Sequence, residues 1–315
     1  MATSDAHSAS PGSDSDETMV CLRSRDACFA LALGNVFPLN LVCETIEGRM
    51  ILDVGCGAGA WVLDVASSYP LATVVGIDAH QKRLASASFQ VTQRGIPNAS
   101  FVVMDASKSL IFPDHQFDVI HARLVSSLLL IEQWPSFLQE CVRLLRPGGV
   151  LCLTEGERGS SSSPALEKLT ALATFALRLG GRGPSLDGAT MGFTMKLPRW
   201  LRESGYQTIQ VHPSLIEYSR DTRLSEPMQA LIATAWPLLN PVLLDLGLLT
   251  PLQAASLYEQ IQQELSAQDF CAVWPLVTVW GTAPSPETTM KQTASDHACL
   301  TTETEEKYGS IHPDH

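Results

Sequence analysis

"ILDVGCGAGAWVLDVA", residues 51–66, runs an apolar stretch into three glycines at alternate positions, Gly55, Gly57 and Gly59, and then into a helical pattern. A strand, a tight turn and a helix place unpaired backbone N–H groups at the positive end of a helix dipole, which favours an anionic ligand group. The spacing is G-x-G-x-G, whereas the dinucleotide fingerprint is G-x-G-x-x-G. That difference weighs less than Asp53, two residues ahead of the first glycine. A carboxylate at the lip of the loop repels a pyrophosphate and attracts an ammonium group. A ligand carrying both a carboxylate and an ammonium, as an amino acid does, satisfies the helix end and Asp53 together.

Outward from this loop, short β-rich runs alternate with helical patterns at the rhythm of a parallel α/β sheet. Strand one covers about Met50 to Val54, with a helix starting near Gly59; "ATVVGID" (72–78) is strand two, followed by a helix from Gln81 to Arg94. "ASFVVMD" (99–105) and "FDVIHA" (117–122) are strands three and four, and "VLCLTEGE" (150–157) is strand five. Between the last two, "WPSFLQECVRLLRPGG" is a helix with Phe137, Leu138, Cys141, Leu144 and Leu145 on one face, stopped by Pro147 and two glycines.

Two acids complete the ligand. Asp78, at the end of strand two, is placed to accept bonds from both ribose hydroxyls, with Ala79 beside it; its other reading is an N-cap. Asp105 can accept from an adenine amino group while the Ala106 N–H donates to a ring nitrogen; its other reading is an exposed turn. A part amino acid, part nucleoside ligand is S-adenosylmethionine.

The chain resembles the class I S-adenosylmethionine-dependent methyltransferases. "ILDVGCGAGAW" is similar to that family's first motif, "VVGIDAH" to its ribose motif, "VVMDAS" to its adenine motif, and "FDVIHAR" and "LLRPGGVLCLTE" to its fourth and fifth strands. The segment before the glycines and "WVLDVA" after them also resemble the LaeA-like group, which includes regulators of secondary metabolism. The resemblance implies an α/β, Rossmann-like fold, a seven-stranded sheet in the order 3-2-1-4-5-7-6 with strand seven antiparallel. It implies methyl transfer to a small-molecule acceptor, with a cofactor-binding protein without turnover and a sulfonium-assisted cyclase as alternatives. The cofactor-binding residues are then Asp53, Gly55, Cys56, Gly57, Gly59, Asp78, Ala79, Asp105, Ala106 and His121. Cys56 reads as a small side chain packed under the loop, contributing its backbone N–H.

Beyond strand four, His121 is a candidate general base, since an imidazole titrates near neutrality, and its other reading is a hydrogen bond to cofactor or loop. Arg123 either orients an anionic substrate or anchors a loop. Glu155, at the end of strand five, is a polar substrate contact or a solvated loop acid. Trp61 reads as helix packing, and Trp200, Trp236, Trp274 and Trp280 as core or lid packing.

The remainder departs from the family pattern. Helical insertions are expected over about 159–204 and 222–268: the first opens at Ser163 and Pro164, and the second holds a capping box at Thr250 and Gln253. They are read as a lid over the acceptor. "GYQTIQVHPSLIEYS" and "CAVWPLVTVWGT" are strands six and seven, separated by about fifty residues where the family has a tight hairpin. The methyltransferase domain is expected over 19–283, with its core at 48–157. Residues 1–18 and 284–315 are too polar to offset their ordering entropy and read as flexible tails.

Of 315 residues 45% are hydrophobic, enough for a substantial core, and the net charge is -12. Such acidity disfavours a nucleic-acid partner, whose phosphates are bound by clustered Lys and Arg. Eight cysteines show no CxxC pair or zinc spacing and read as reduced, with no metal. No signal peptide or transmembrane stretch is recognised, so a cytoplasmic location without membrane partner is expected, and a homodimer is compatible with the reading.

Overall fold

The computed structural model describes residues 16–33, 37 and 46–285. One mixed sheet carries the structure. Its parallel part is β1 (Met50–Val54), β2 (Thr73–Asp78), β3 (Ala99–Val103), β4 (Phe117–Arg123) and β5 (Leu145–Gly156). Helices α2 (Ala60–Ser68), α3 (Gln81–Arg94) and α4 (Trp134–Leu144) provide the crossovers. These strands stand in the order β3-β2-β1-β4-β5. The last long strand, β8 (Ala272–Thr282), is antiparallel to β5 on one side and to β7 (Gln207–Glu217) on the other. With β7 and β8 as strands six and seven, the order is the expected one. An eighth strand, the two-residue β6 (Ser160–Ser161), continues the β5 side along the start of β8 and corrects the count of seven.

The central strands are buried on both faces, which is why they read as continuous apolar runs. One core layer packs Leu52, Ile77, Phe117 and Ile120 against Trp134 and Leu138 of α4; the other packs Ile51, Val74 and Val119 against Val62 and Val65 of α2. Of the predicted tryptophans, Trp200 packs against the first of these layers and Trp280 lies in the second.

The insertions are helical. In the first, α5 (Pro164–Leu179) begins at Ser163, whose Oγ accepts the Leu166 N–H at 2.9 Å and donates to Glu264 at 2.5 Å. Next, α6 (Phe193–Glu203) starts a turn earlier than the "LPRWLRESG" pattern indicates. The reason is tertiary: the Glu157 carboxylate accepts the N–H groups of Met191 and Gly192 and the Thr194 hydroxyl, holding the start of that helix. The second insertion holds α7 (Ser225–Asp245) and α8 (Pro251–Leu265), the latter closed by the Thr250–Gln253 capping box. Together with α5 they form a third apolar cluster, against which Trp236 and Trp274 pack.

Two expectations need correction. Helix α1 (Asp16–Leu33) begins inside the stretch assigned to the N-terminal tail, because its side chains find partners on α7 and the sheet that no local pattern records. Residues 1–15 and 286–315 lie outside the described residues. Secondly, α7 is long and apolar enough to cross a membrane by length and composition, with a mean hydropathy of 1.2, where no such stretch was recognised. It contains Pro237 and Pro241, and it packs on α1, α5 and α8.

Candidate active site

The loops that follow β1 to β5 gather at the carboxyl edge of the parallel strands, where open α/β sheets bind ligands. Gly55, Gly57 and Gly59 all have positive φ, at 71°, 57° and 79°, a conformation that side chains with a Cβ rarely adopt. Their surroundings differ. A Cβ on Gly59 would meet the Phe101 ring at 2.6 Å and Ala87 at 2.7 Å, so this glycine lets α2, α3 and β3 close together. A Cβ on Gly55 would meet Leu128 at 2.7 Å, which makes Leu128 the wall above the start of the loop. At Gly57 the nearest atoms are 3.8 Å away, on Leu22. The middle of the loop is therefore its least crowded part, in ordinary van der Waals reach of α1. Cys56 is buried beneath it against Gly76, and burial pushes its thiol well above the ordinary range.

Asp78 is buried and ties the loop down. Its Oδ2 accepts the Gly57 N–H at 3.1 Å, and its Oδ1 accepts the His80 N–H at 2.9 Å and lies 3.5 Å from Arg83. With one of the two Oδ2 lone-pair directions used, a further hydroxyl can still be accepted there. Ala79 follows it at the exposed end of β2. Asp105 stands beyond β3, where its Oδ1 accepts the N–H and hydroxyl of Ser107 and its Oδ2 faces Lys108 at 3.4 Å. These bonds hold its carboxyl below the usual range against partial burial. Ala106 beside it packs partly against the main core layer.

Asp53 and His121 sit opposite each other on β1 and β4, and the His121 Nδ1 lies 2.8 Å from the Asp53 Oδ1. Trp61 of α2 stacks on the imidazole, with centroids 3.8 Å apart and the planes 8° from parallel. His121 is only 5% exposed, and burial pulls its pKa down despite the opposing pull of Asp53. A neutral imidazole donating from Nδ1 orients the Asp53 side chain. His121 thus lies within β4, under the loop, where the expected general base would have to face the cleft.

Arg123 closes β4, donates to Asp26 of α1 at 3.1 Å and lies over the Phe29 ring at 4.4 Å. These contacts tie Arg123 to α1. Glu155 is 1% exposed, so it is neither a solvated loop acid nor open to substrate. Its Oε1 accepts the Ser126 N–H at 2.9 Å and its Oε2 the Ser126 hydroxyl at 2.6 Å. Burial raises its pKa to about 7 against those bonds. Glu155 therefore fixes the 3-10 turn Val125–Ser127 that presents Leu128 to Gly55.

Sequence reading missed the α1 contribution altogether. Leu22 and Arg25 overlie Gly57, Arg23 donates to Ser86 of α3 at 3.2 Å, and Asp26 reaches β4. The acidic pair Asp16 and Glu17 was the available helix-start signal.

Residues 51–149 match the family model described as "Methyltransferase domain". Methyltransferase pytC of Aspergillus terreus is 30% identical over 186 residues, 57% of this chain and 53% of that protein. The fatty-acid O-methyltransferase of Mycolicibacterium smegmatis is 34% identical over 167 residues, 50% of this chain and 58% of that protein. The chain thus spans little more than half the length of these relatives. A solved Bacillus halodurans structure shares the fold at a TM-score of 0.51 and 15% identity, covering 78% of this chain and 97% of that one.

Proposed function

With residues 51–149 forming a class I S-adenosylmethionine-dependent methyltransferase domain, we propose that the protein transfers a methyl group from S-adenosylmethionine to a small-molecule acceptor with an apolar body. The observation that carries this reading is the cradle at Gly57. It is the least crowded part of the loop, its nearest neighbours 3.8 Å from where a Cβ would stand, and it is flanked by the buried acids Asp53 and Asp78 just ahead of α2. These donors and acceptors fit a ligand that carries an ammonium, a carboxylate and a ribose.

In this proposal Asp53 takes the ammonium, and His121 with Trp61 holds that carboxylate in place. Asp78 takes the ribose, while Asp105 and Ala106 take the adenine. S-adenosylmethionine supplies a methyl group on a sulfonium leaving group, so holding donor and acceptor in line and excluding water can carry much of the rate. The residues of the chain are arranged for that task. Leu128 and α1 wall the loop, and α5, α7 and α8 form one apolar cluster with residues of α1 and β8, with Trp236 stacked on Tyr258. The fatty-acid substrate class named for the mycobacterial relative supports an apolar acceptor.

Calorimetry with S-adenosylmethionine and with a nicotinamide dinucleotide tests the cofactor, and isotope-labelled S-adenosylmethionine incubated with a metabolite extract tests transfer. Binding of the first ligand with label appearing in an organic-soluble product is the expected result. Preference for the dinucleotide, or absence of label transfer across acceptor classes, would refute it.

A further inference from the structure

Helix α1 walls the glycine loop, yet the cation that it brings to Gly57 has no part in the proposed chemistry. Its Arg25 Nη2 stands 3.9 Å from the point a Gly57 Cβ would occupy. The Arg25 Nε is buried without a hydrogen-bond partner. The carboxylate beside this guanidinium, Asp26, is 3.8 Å away, and its Oδ1 is already bonded to Arg123 at 3.1 Å. A guanidinium has five donors and is matched to carboxylates in a fork geometry. Arg25 is thus a cation with donors to spare, aimed at the loop.

The surrounding charges make the role specific. Asp53 and Asp78 flank the loop and suit the cationic and hydroxyl parts of the ligand. Its carboxylate needs the opposite sign, and the partial positive charge at the start of α2 is weak beside a full one. Arg123 is committed to Asp26 and the Phe29 face. We propose that Arg25 binds the α-carboxylate of the amino-acid end of the ligand, so that α1 reads that end of the methyl donor. The inference rests on the S-adenosylmethionine reading above and names a residue that no glycine-loop motif contains.

The test compares S-adenosylmethionine with its decarboxylated analogue, which keeps adenosine, sulfonium and ammonium, by calorimetry on the full chain. A charge-assisted hydrogen bond predicts that the wild type prefers the carboxylate-bearing ligand by roughly 10- to 100-fold. In Arg25→Gln the preference should collapse toward unity through loss of the first ligand alone, and Arg25→Lys should keep an intermediate ratio. Because the readout is a ratio within one protein, a general loosening of α1 does not produce it. If Arg25→Gln does not fold, the wild-type and Arg25→Lys ratios decide. A wild-type ratio near one, or equal losses of both ligands in the variants, overturns the inference while leaving the cofactor reading intact. Wild-type protein that binds neither ligand overturns both.

Discussion

Replacing Glu155 by glutamine should change the pH dependence of stability with a sign and size set by the burial of this side chain. The carboxyl is raised from an ordinary 4.5 to about 7, chiefly by burial, with the two Ser126 bonds opposing. In the folded protein it therefore keeps a proton between pH 4.5 and 7 that the unfolded chain has released. The linked stability is fully present below 4.5 and is lost as pH rises through 7. At about 1.4 kcal/mol per tenfold change in proton affinity, the loss is roughly 3 kcal/mol. Glutamine has nearly the same shape, can accept the Ser126 N–H, and does not titrate. Urea unfolding followed by circular dichroism at pH 4.5, 6, 7 and 8 should show Glu155→Gln gaining on the wild type across this window by roughly 3 kcal/mol. Since Glu155 holds the turn that presents Leu128 to Gly55, the gain should coincide with slower amide exchange at residues 125–128 above pH 7. A stability difference that stays flat with pH, or grows toward acid, would refute the reasoning.

The glycine loop offers a contrast. Gly59→Ala drives a Cβ into Phe101 at 2.6 Å in a left-handed conformation and should cost about 2–4 kcal/mol by urea unfolding. Gly57→Ala meets nothing closer than 3.8 Å, so it should cost only about 1–2 kcal/mol in stability while calorimetry registers a marked loss of S-adenosylmethionine affinity. Asp78→Ala should weaken that binding by about 1–3 kcal/mol, and unchanged affinity would remove Asp78 from the ribose site. Asp26→Ala leaves the Arg123 charge buried without its partner and should destabilise by about 3–5 kcal/mol, with hydrogen exchange accelerated first in α1.

The positions of the strands and the glycine turn were legible because each rests on local chemistry, whereas the strand order came from the family resemblance. Apolar runs bounded by turn residues mark the buried strands, and three glycines with positive φ mark the loop. Hence β1, β2 and α3 lie within a residue of where patterning puts them, as does the start of α5 at Ser163. The assignments that changed concern side chains whose partners are distant in sequence. Asp53 and His121 are 68 residues apart and meet only because β1 and β4 pair in one register. Glu155 reads as a loop acid until Ser126 is brought against it, and α6 begins early because Glu157 reaches its first N–H groups.

By itself, then, the sequence determined the strands, the glycine turn and the acids that follow them, since strand patterning and backbone conformation are properties of neighbouring residues. Which acids stay available to a ligand, which arginine anchors α1 and which faces the cradle were decided by tertiary structure alone. Burial and pairing, the terms that govern where a charge can sit, depend on groups the chain brings together from far apart.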